Sequence, residues 1–299
     1  MLSEVVDDLV CPLCGAGLTE SAGSLRCGAG HAFDIARQGY VNLLPGGARP
    51  GTADTPEMAR ARADFLGAGH FGSLMRLLAD RVQDLVKGQE AERGRTRGAV
   101  RSCADSRPRV VDAGAGTGDY LAAVLDRLPR ASGIALDISK HALRRAARAH
   151  QRIGAVTWDV WRPLPIRDAS MDIVLNVFAP RNGPEFRRIL RPDGALVVIT
   201  PTTRHLETLV GPLGLLSVGE AKTERVGETL GGDFRLAHRE SHGTELLLDH
   251  LDVETLVGMG PSAHHVPPDL LRERIEALPA SVRVPASFTL SVFRPEPVG

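Results

Sequence analysis

The stretch VVDAGAGTGDYL, residues 110–121, constrains the fold more than any other part of this chain. An apolar strand runs into Asp112, glycines follow at 114, 116 and 118, and a helical pattern begins at Tyr120. Alternate glycines permit a tight turn and let the backbone approach a ligand that a β-carbon would hold away. The pattern that follows repeats the theme. Strands are predicted at Arg109–Ala113, Ser132–Asp137, Ala155–Trp158, Met171–Asn176 and Leu196–Thr200, with helices at Tyr120–Leu128, Lys140–Gln151 and Pro184–Leu190. Such alternation predicts a mostly parallel sheet covered on both faces. Val284–Arg294 alternates apolar and polar residues and reads as a late edge strand.

The register of the loop narrows its ligand. A nicotinamide loop needs G-x-G-x-x-G, but Asp119 and Tyr120 follow Gly118, and no G-K-[ST] follows to make a phosphate-cradling loop. Acidic–x–Gly–x–Gly–x–Gly instead resembles the first motif of class I S-adenosylmethionine-dependent methyltransferases. Asp137 closes the second strand, where a carboxylate can accept from both ribose hydroxyls. Asp159 follows the third strand, where that family usually recognises adenine, and LRPDGAL (190–196) looks like the turn before the fifth strand. The resemblance implies an α/β fold of the class I, Rossmann-like type. It also implies a cofactor, S-adenosylmethionine, held through Asp112, Gly114, Gly116, Gly118, Asp137 and Asp159.

A second signal lies at the front. Cys11-x2-Cys14, then twelve residues, then Cys27-x3-His31 places three thiolates and an imidazole in one short stretch. That donor set suits a closed, tetrahedral, structural Zn(II) site with no open position for catalysis. Zinc could contribute about 10–16 kcal/mol to folding such a module. The opening MLSEVVDDLVCPLC lacks a basic-then-apolar leader, and no apolar run is long enough to span a bilayer. A cytoplasmic, reducing location is expected, where clustered cysteines favour metal over disulfides.

Between the two signals, Pro56–Asp84 carries apolar residues at helical spacing, predicting two helices broken near Gly67–Gly72. Lys87–Pro108 is Gly/Arg-rich and reads as a mobile linker, with Cys103 a bystander inside it. The expected division is a zinc-binding module at 1–45, a helical connector and linker at 46–108, and a methyltransferase domain at 109–299.

Beyond the zinc ligands, FD-x-A-x-x-GYVNLL (33–44) and D-x-x-EM-x-x-AR-x-x-FL-x-x-GH (54–70) closely resemble the 23S rRNA guanine-N1 methyltransferases. NVFAPRN (176–182), RRAARAH (144–150) and GMGPS (258–262) resemble most the macrolide-resistance branch of that family. The resemblance covers nearly the whole chain. It implies zinc ligation by Cys11, Cys14, Cys27 and His31, and cofactor contacts from Gly116, Thr117, His205 and Phe71. Phe71 stands where other members place tyrosine. The implied reaction is methylation of guanine N1 in the hairpin-35 loop of domain II of 23S rRNA, at nucleotide 748 ahead of 745, with tylosin-type resistance as the outcome. A homodimer is a further possibility.

Methyl transfer to N1 requires in-line alignment, and removal of the N1 proton calls for a base. Asn176 is a candidate to hold the purine edge and Phe178 to stack on it; Asp159 is the nearest carboxylate by topology, but no residue there is assigned as the base. No global field recruits RNA, because 36 basic side chains balance 36 acidic ones, and 4% aromatic content argues against a broad stacking platform. Recognition then falls to the zinc module with Arg26, Arg37, Arg49, Arg60 and Arg62. The basic residues of 140–152 read as a solvated face. Two other readings compete: a small-molecule methyltransferase of antibiotic biosynthesis with a structural zinc module, and a non-catalytic zinc-ribbon binding protein.

Overall fold

Strands that are apolar on both faces need cover on both faces, and this determines the layering. The computed structural model describes residues 2–46, 53–96, 107–216, 230–260 and 266–296. Arg49, Cys103 and Pro261–Ser262 lie outside the described residues. Six strands run parallel: β4 (Tyr40–Asn42), β5 (Arg109–Ala113), β6 (Ser132–Asp137), β7 (Ile153–Thr157), β8 (Met171–Val177) and β9 (Leu190–Pro201). Two more, β10 (Phe234–Leu248) and β11 (Val282–Pro295), complete an eight-stranded sheet of order β10-β11-β9-β8-β5-β6-β7-β4. Every residue of β7 and β8 is buried.

The helices are α1 (Pro56–Gly67), α2 (Gly72–Thr96), α3 (Asp119–Arg127), α4 (Lys140–Ala149), α5 (Gly183–Ile189), α6 (Glu207–Leu213), α7 (His250–Gly258) and α8 (Pro268–Glu276). Local chemistry sets their starts. Thr55 accepts from Met58 N–H ahead of Pro56, Ser139 accepts from Ala142 N–H at 3.3 Å, and Asp249 with Asp252 forms a capping box. One face of the sheet is covered largely by α2, α3, α4 and α7.

The other face is covered in part by the N-terminal segment. Leu2, Val5, Leu9, Leu18 and Leu25 join a core with Ile134, Val156, Ile166 and Phe186. A β-carbon at Gly154 would come within 2.2 Å of Val5, so β7 meets this segment through a glycine. The segment also carries a small antiparallel sheet, β1 (Leu18–Ser21), β2 (Ser24–Cys27) and β3 (Ala32–Asp34), and then enters the large sheet as β4, beside β7.

Four differences from the sequence reading have physical causes. The segment from Lys87 to Thr96 is helical, because Gln89 reaches the carbonyls of Asp172 and Asp193 and Arg93 pairs with both carboxylates. β11 is internal rather than an edge. It is flanked by β9 and by β10, a strand whose run of His238, Arg239, Glu240 and His242 hides its apolar periodicity. LRPDGAL lies within β9, where an irregularity shifts the pairing from Met171–Leu190 to Ile173–Ala195. Finally, α4 stops at Ala149. Arg152 beyond it is spent on the carbonyls of Leu125, Leu128 and Ala131.

Candidate functional site

The four zinc-ligand candidates converge. All four donor atoms lie within 4.8 Å of one another. Cys14 Sγ is 3.7 Å from Cys27 Sγ, and His31 Nδ1 is 3.5 Å from Cys11 Sγ and 3.4 Å from Cys27 Sγ. Tetrahedral Zn with bonds of about 2.3 Å to sulfur and 2.0 Å to nitrogen requires ligand separations of roughly 3.5–3.8 Å. The three closest donor pairs already lie at about the separations that tetrahedral zinc requires. Two reverse turns build it. Gly15 N–H donates to Cys11 O at 2.8 Å and Gly30 N–H to Cys27 O at 3.0 Å, with both glycines at positive φ. Burial opposes ionisation of Cys27, but the N–H groups of His31 and Ala29 and the neighbouring ligands bring the thiol down to about 6. Burial pushes the Cys11 thiol up, so its ionisation awaits the cation.

The second site lies at the carboxyl ends of the parallel strands, where open α/β sheets place ligands. Gly114, Gly116 and Gly118 have φ of 88°, 54° and 84°. A β-carbon at Gly114 would sit 2.4 Å from Ala179 Cβ, and one at Gly118 would sit 2.9 Å from Ala146 of α4. The loop thus needs glycine both for its backbone and for its neighbours. Asp137 Oδ2 accepts from Gly116 N–H and Oδ1 from Ser139 N–H, each at 2.8 Å. Each oxygen keeps a lone pair for a ligand hydroxyl. Thr117 Oγ1 donates to Asp119 Oδ2 at 2.5 Å, at the start of α3.

Asp112 is 1% exposed, and neither of its carboxylate oxygens has a hydrogen-bond partner among the described residues. Burial, reinforced by the charge of Asp137, pushes its carboxyl up to about 8. Orphaned buried oxygens beside a glycine cradle are what a site for a cationic, polyhydroxylated ligand would show. These residues fit S-adenosylmethionine: Asp137 would accept from ribose hydroxyls, and the unpartnered Asp112 carboxyl would favour a cationic ligand.

Aromatic rings gather at the same edge. His205, just after β9, packs on Phe288 of β11 with ring centroids 4.7 Å apart, and its Nδ1 accepts from Ser287 N–H at 3.3 Å. Burial pulls its pKa down to about 4, so the imidazole is neutral near pH 7. Phe71 is 2% exposed, edge-on to Phe65 and Phe288 and 6.2 Å from His205. Phe178 continues the cluster, 5.5 Å from Phe288 and 6.2 Å from Tyr120. It is 38% exposed and has φ of 55°, a backbone that a non-glycine residue adopts at a cost. Strain and exposure together mark Phe178 as presented to something.

Asn176 is fully buried, and its Nδ2 donates to Ala113 O at 3.2 Å and Pro180 O at 2.8 Å. Its amide therefore fastens the Phe178 turn to the end of β5. Asp159 follows β7, with Oδ1 accepting from Trp161 N–H at 3.0 Å and Oδ2 3.8 Å from Arg162. Trp158 N–H, one residue earlier, donates to Asp137 O at 2.9 Å, which brings the Asp159 loop beside the Asp137 strand end.

The arginines separate. Arg26, Arg37 and Arg60 are exposed, as are Arg144, Arg145 and Arg148 of α4. Arg62 is only partly exposed, and its chain lies against Gly116. Sequence reasoning assigned Arg62 to RNA recognition and missed Tyr120 and Phe288 as neighbours of Phe178. No sequence signal marked them, because each sits in an ordinary amphipathic or apolar pattern.

Comparison with known proteins finds a zinc ribbon and a methyltransferase domain over these two regions. A family model described as "RlmA, N-terminal", a zinc ribbon, matches residues 9–49, and a "Methyltransferase domain" model matches residues 110–194. The "Putative 23S rRNA (guanine-N(1)-)-methyltransferase" of Micromonospora griseorubida is 50% identical over 299 residues, covering 99% of this chain and 100% of that protein. The 23S rRNA (guanine(748)-N(1))-methyltransferase of Streptomyces fradiae is 47% identical over the same span, again with 99% and 100% coverage. A relative from Bacillus subtilis is 32% identical over 202 residues, 66% of this chain and 65% of its own. With a zinc ribbon, a methyltransferase core and similarity along its whole length, the chain belongs to the 23S rRNA (guanine-N1)-methyltransferase family.

Proposed function

We propose that this chain methylates N1 of a guanine in the hairpin-35 loop of 23S rRNA, at nucleotide 748, and so confers resistance to tylosin-type macrolides. The observation that carries this reading is full-length similarity to the Streptomyces fradiae protein, whose name specifies that nucleotide.

When bound, S-adenosylmethionine supplies an electrophilic methyl group on a positively charged sulfur. This chain's residues bind and orient the reactants. Asp137 and the Gly114–Gly118 loop hold and orient, Asp159 offers an acceptor toward adenine, and His205 and Phe71 wall the pocket with neutral rings. Phe178, on a turn secured by Asn176, offers its exposed face to the acceptor base, and each base–aromatic stack is worth about 1–3 kcal/mol. Trp161 is a second exposed ring, 63% accessible, on the loop after β7. Both loops follow carboxyl ends of sheet strands, so an RNA loop laid along this edge meets two stacking surfaces. The zinc module, with Arg26 and Arg37 exposed, extends the RNA contact, either within one copy or across a pair of copies.

Incubating the protein with S-adenosylmethionine and unmodified 23S rRNA, then extending a primer across hairpin 35, tests this. Methylation at N1 blocks base pairing, so a new stop adjacent to nucleotide 748 is expected. A stop elsewhere, or none on RNA with transfer to a macrolide precursor instead, overturns the assignment.

A further inference from the structure

Arg62, on α1, lies across the loop that the cofactor must approach. A β-carbon built at Gly116 would be 3.2 Å from Arg62 Cδ, 3.5 Å from Nε and 3.9 Å from Cζ. The guanidinium is held from behind: Nε and Nη2 donate to Asp54 Oδ2 at 3.2 and 2.8 Å, and Nη2 also donates to Met259 O at 3.0 Å. Asp54 is itself anchored, its carbonyl accepting from Ser139 Oγ at 2.7 Å. Nη1 has no hydrogen-bond partner among the described residues, although the side chain is only 25% exposed. The charge of Arg62 reaches both Asp137 and the Tyr120 hydroxyl, which bracket the glycine loop.

A guanidinium fixed on one edge and unspent on the other is arranged to receive a planar anion. S-Adenosylmethionine carries one anionic group, its α-carboxylate. We propose that Arg62 binds the α-carboxylate of the cofactor through its free Nη1 edge, with Asp54 and Met259 O as the fixed backing that aims it. The pairing couples α1, in the stretch between the two recognised modules, directly to cofactor occupancy. It rests on the cofactor and is independent of which RNA is methylated.

Calorimetric titration without RNA tests it. The ligands are S-adenosylhomocysteine, which retains the carboxylate, and methylthioadenosine, which lacks it. In Arg62→Gln the affinity for S-adenosylhomocysteine should fall by roughly ten- to a hundredfold, the worth of a charge-assisted hydrogen bond, while methylthioadenosine affinity stays within about twofold. Arg62→Lys should recover part of the loss. Equal loss of both ligands, or no loss of either, overturns the proposal. Should Arg62→Gln not fold, the wild-type protein decides: esterifying the carboxylate of S-adenosylhomocysteine should weaken it by the same factor, and an unchanged affinity refutes the contact. A primer-extension failure would leave these binding ratios untouched.

Discussion

Asp112 shows what one residue contributes when its environment outweighs its intrinsic chemistry. Its carboxyl titrates near 4 in an unfolded chain and is pushed up to about 8 in the fold, chiefly by burial. A carboxyl raised in this way stabilises the fold fully below the unfolded pKa, and that contribution is lost as pH rises through the folded one. In cofactor-free protein, stability should therefore decline between about pH 4 and pH 8, by on the order of a few kcal/mol from this group. Asp112→Asn should flatten that decline, as read from urea midpoints at pH 5 and pH 8; an equally steep decline in the variant would refute the assignment. For Phe178, truncation to alanine removes a stacking face and should lower kcat/KM on RNA by roughly tenfold to a hundredfold, with cofactor Kd within twofold. A parallel loss of cofactor affinity would place the ring in the cofactor pocket instead.

At the scale of elements, legibility followed burial. β5 and β6 could be read to the residue because each is a short apolar run with an acid at or next to its end. β10 was hidden because it lies at the outermost position and carries charge along its length, and β11 was misplaced in consequence. Helix α2 outran its apolar pattern because polar side chains, Gln89 and Arg93, anchor its end to buried groups. The site followed the same rule: its glycines, Asp137 and the zinc ligands have spacing as a signal. Arg62, Tyr120 and Phe288 reach the site only through tertiary packing. The contact between the β5–α3 loop and the β8–α5 loop is testable. Gly114→Ala brings a β-carbon to 2.4 Å from Ala179 Cβ at a positive φ. It should destabilise by about 2–4 kcal/mol and abolish cofactor binding. Adding Ala179→Gly should return part of the stability, and no return would mean that strain at the loop itself dominates.

Across the whole molecule, the zinc-binding segment is also a layer of the methyltransferase core. It packs Leu2, Val5 and Leu9 under the sheet and donates β4 to its edge. Arg109 of β5 reaches back to Glu4 O at 2.7 Å and lies 3.3 Å from Asp8. Stripping zinc with a chelator should therefore lower the single Tm of the entire chain by more than about 10 °C, rather than release an independent module. Two separate transitions, with the later one unmoved by chelation, would contradict this coupling. Under the proposed function, the same coupling would hold the zinc module in register with the loops that carry Phe178 and Trp161.

The most direct measurement of the central claim is the identity of the methylated nucleoside. Hairpin-35 RNA treated with the protein and S-adenosylmethionine, digested to nucleosides and resolved by chromatography with mass detection, should yield 1-methylguanosine, and Phe178→Ala should sharply reduce its amount. Finding 7-methylguanosine, a 2′-O-methyl nucleoside or unmodified RNA alone would contradict it.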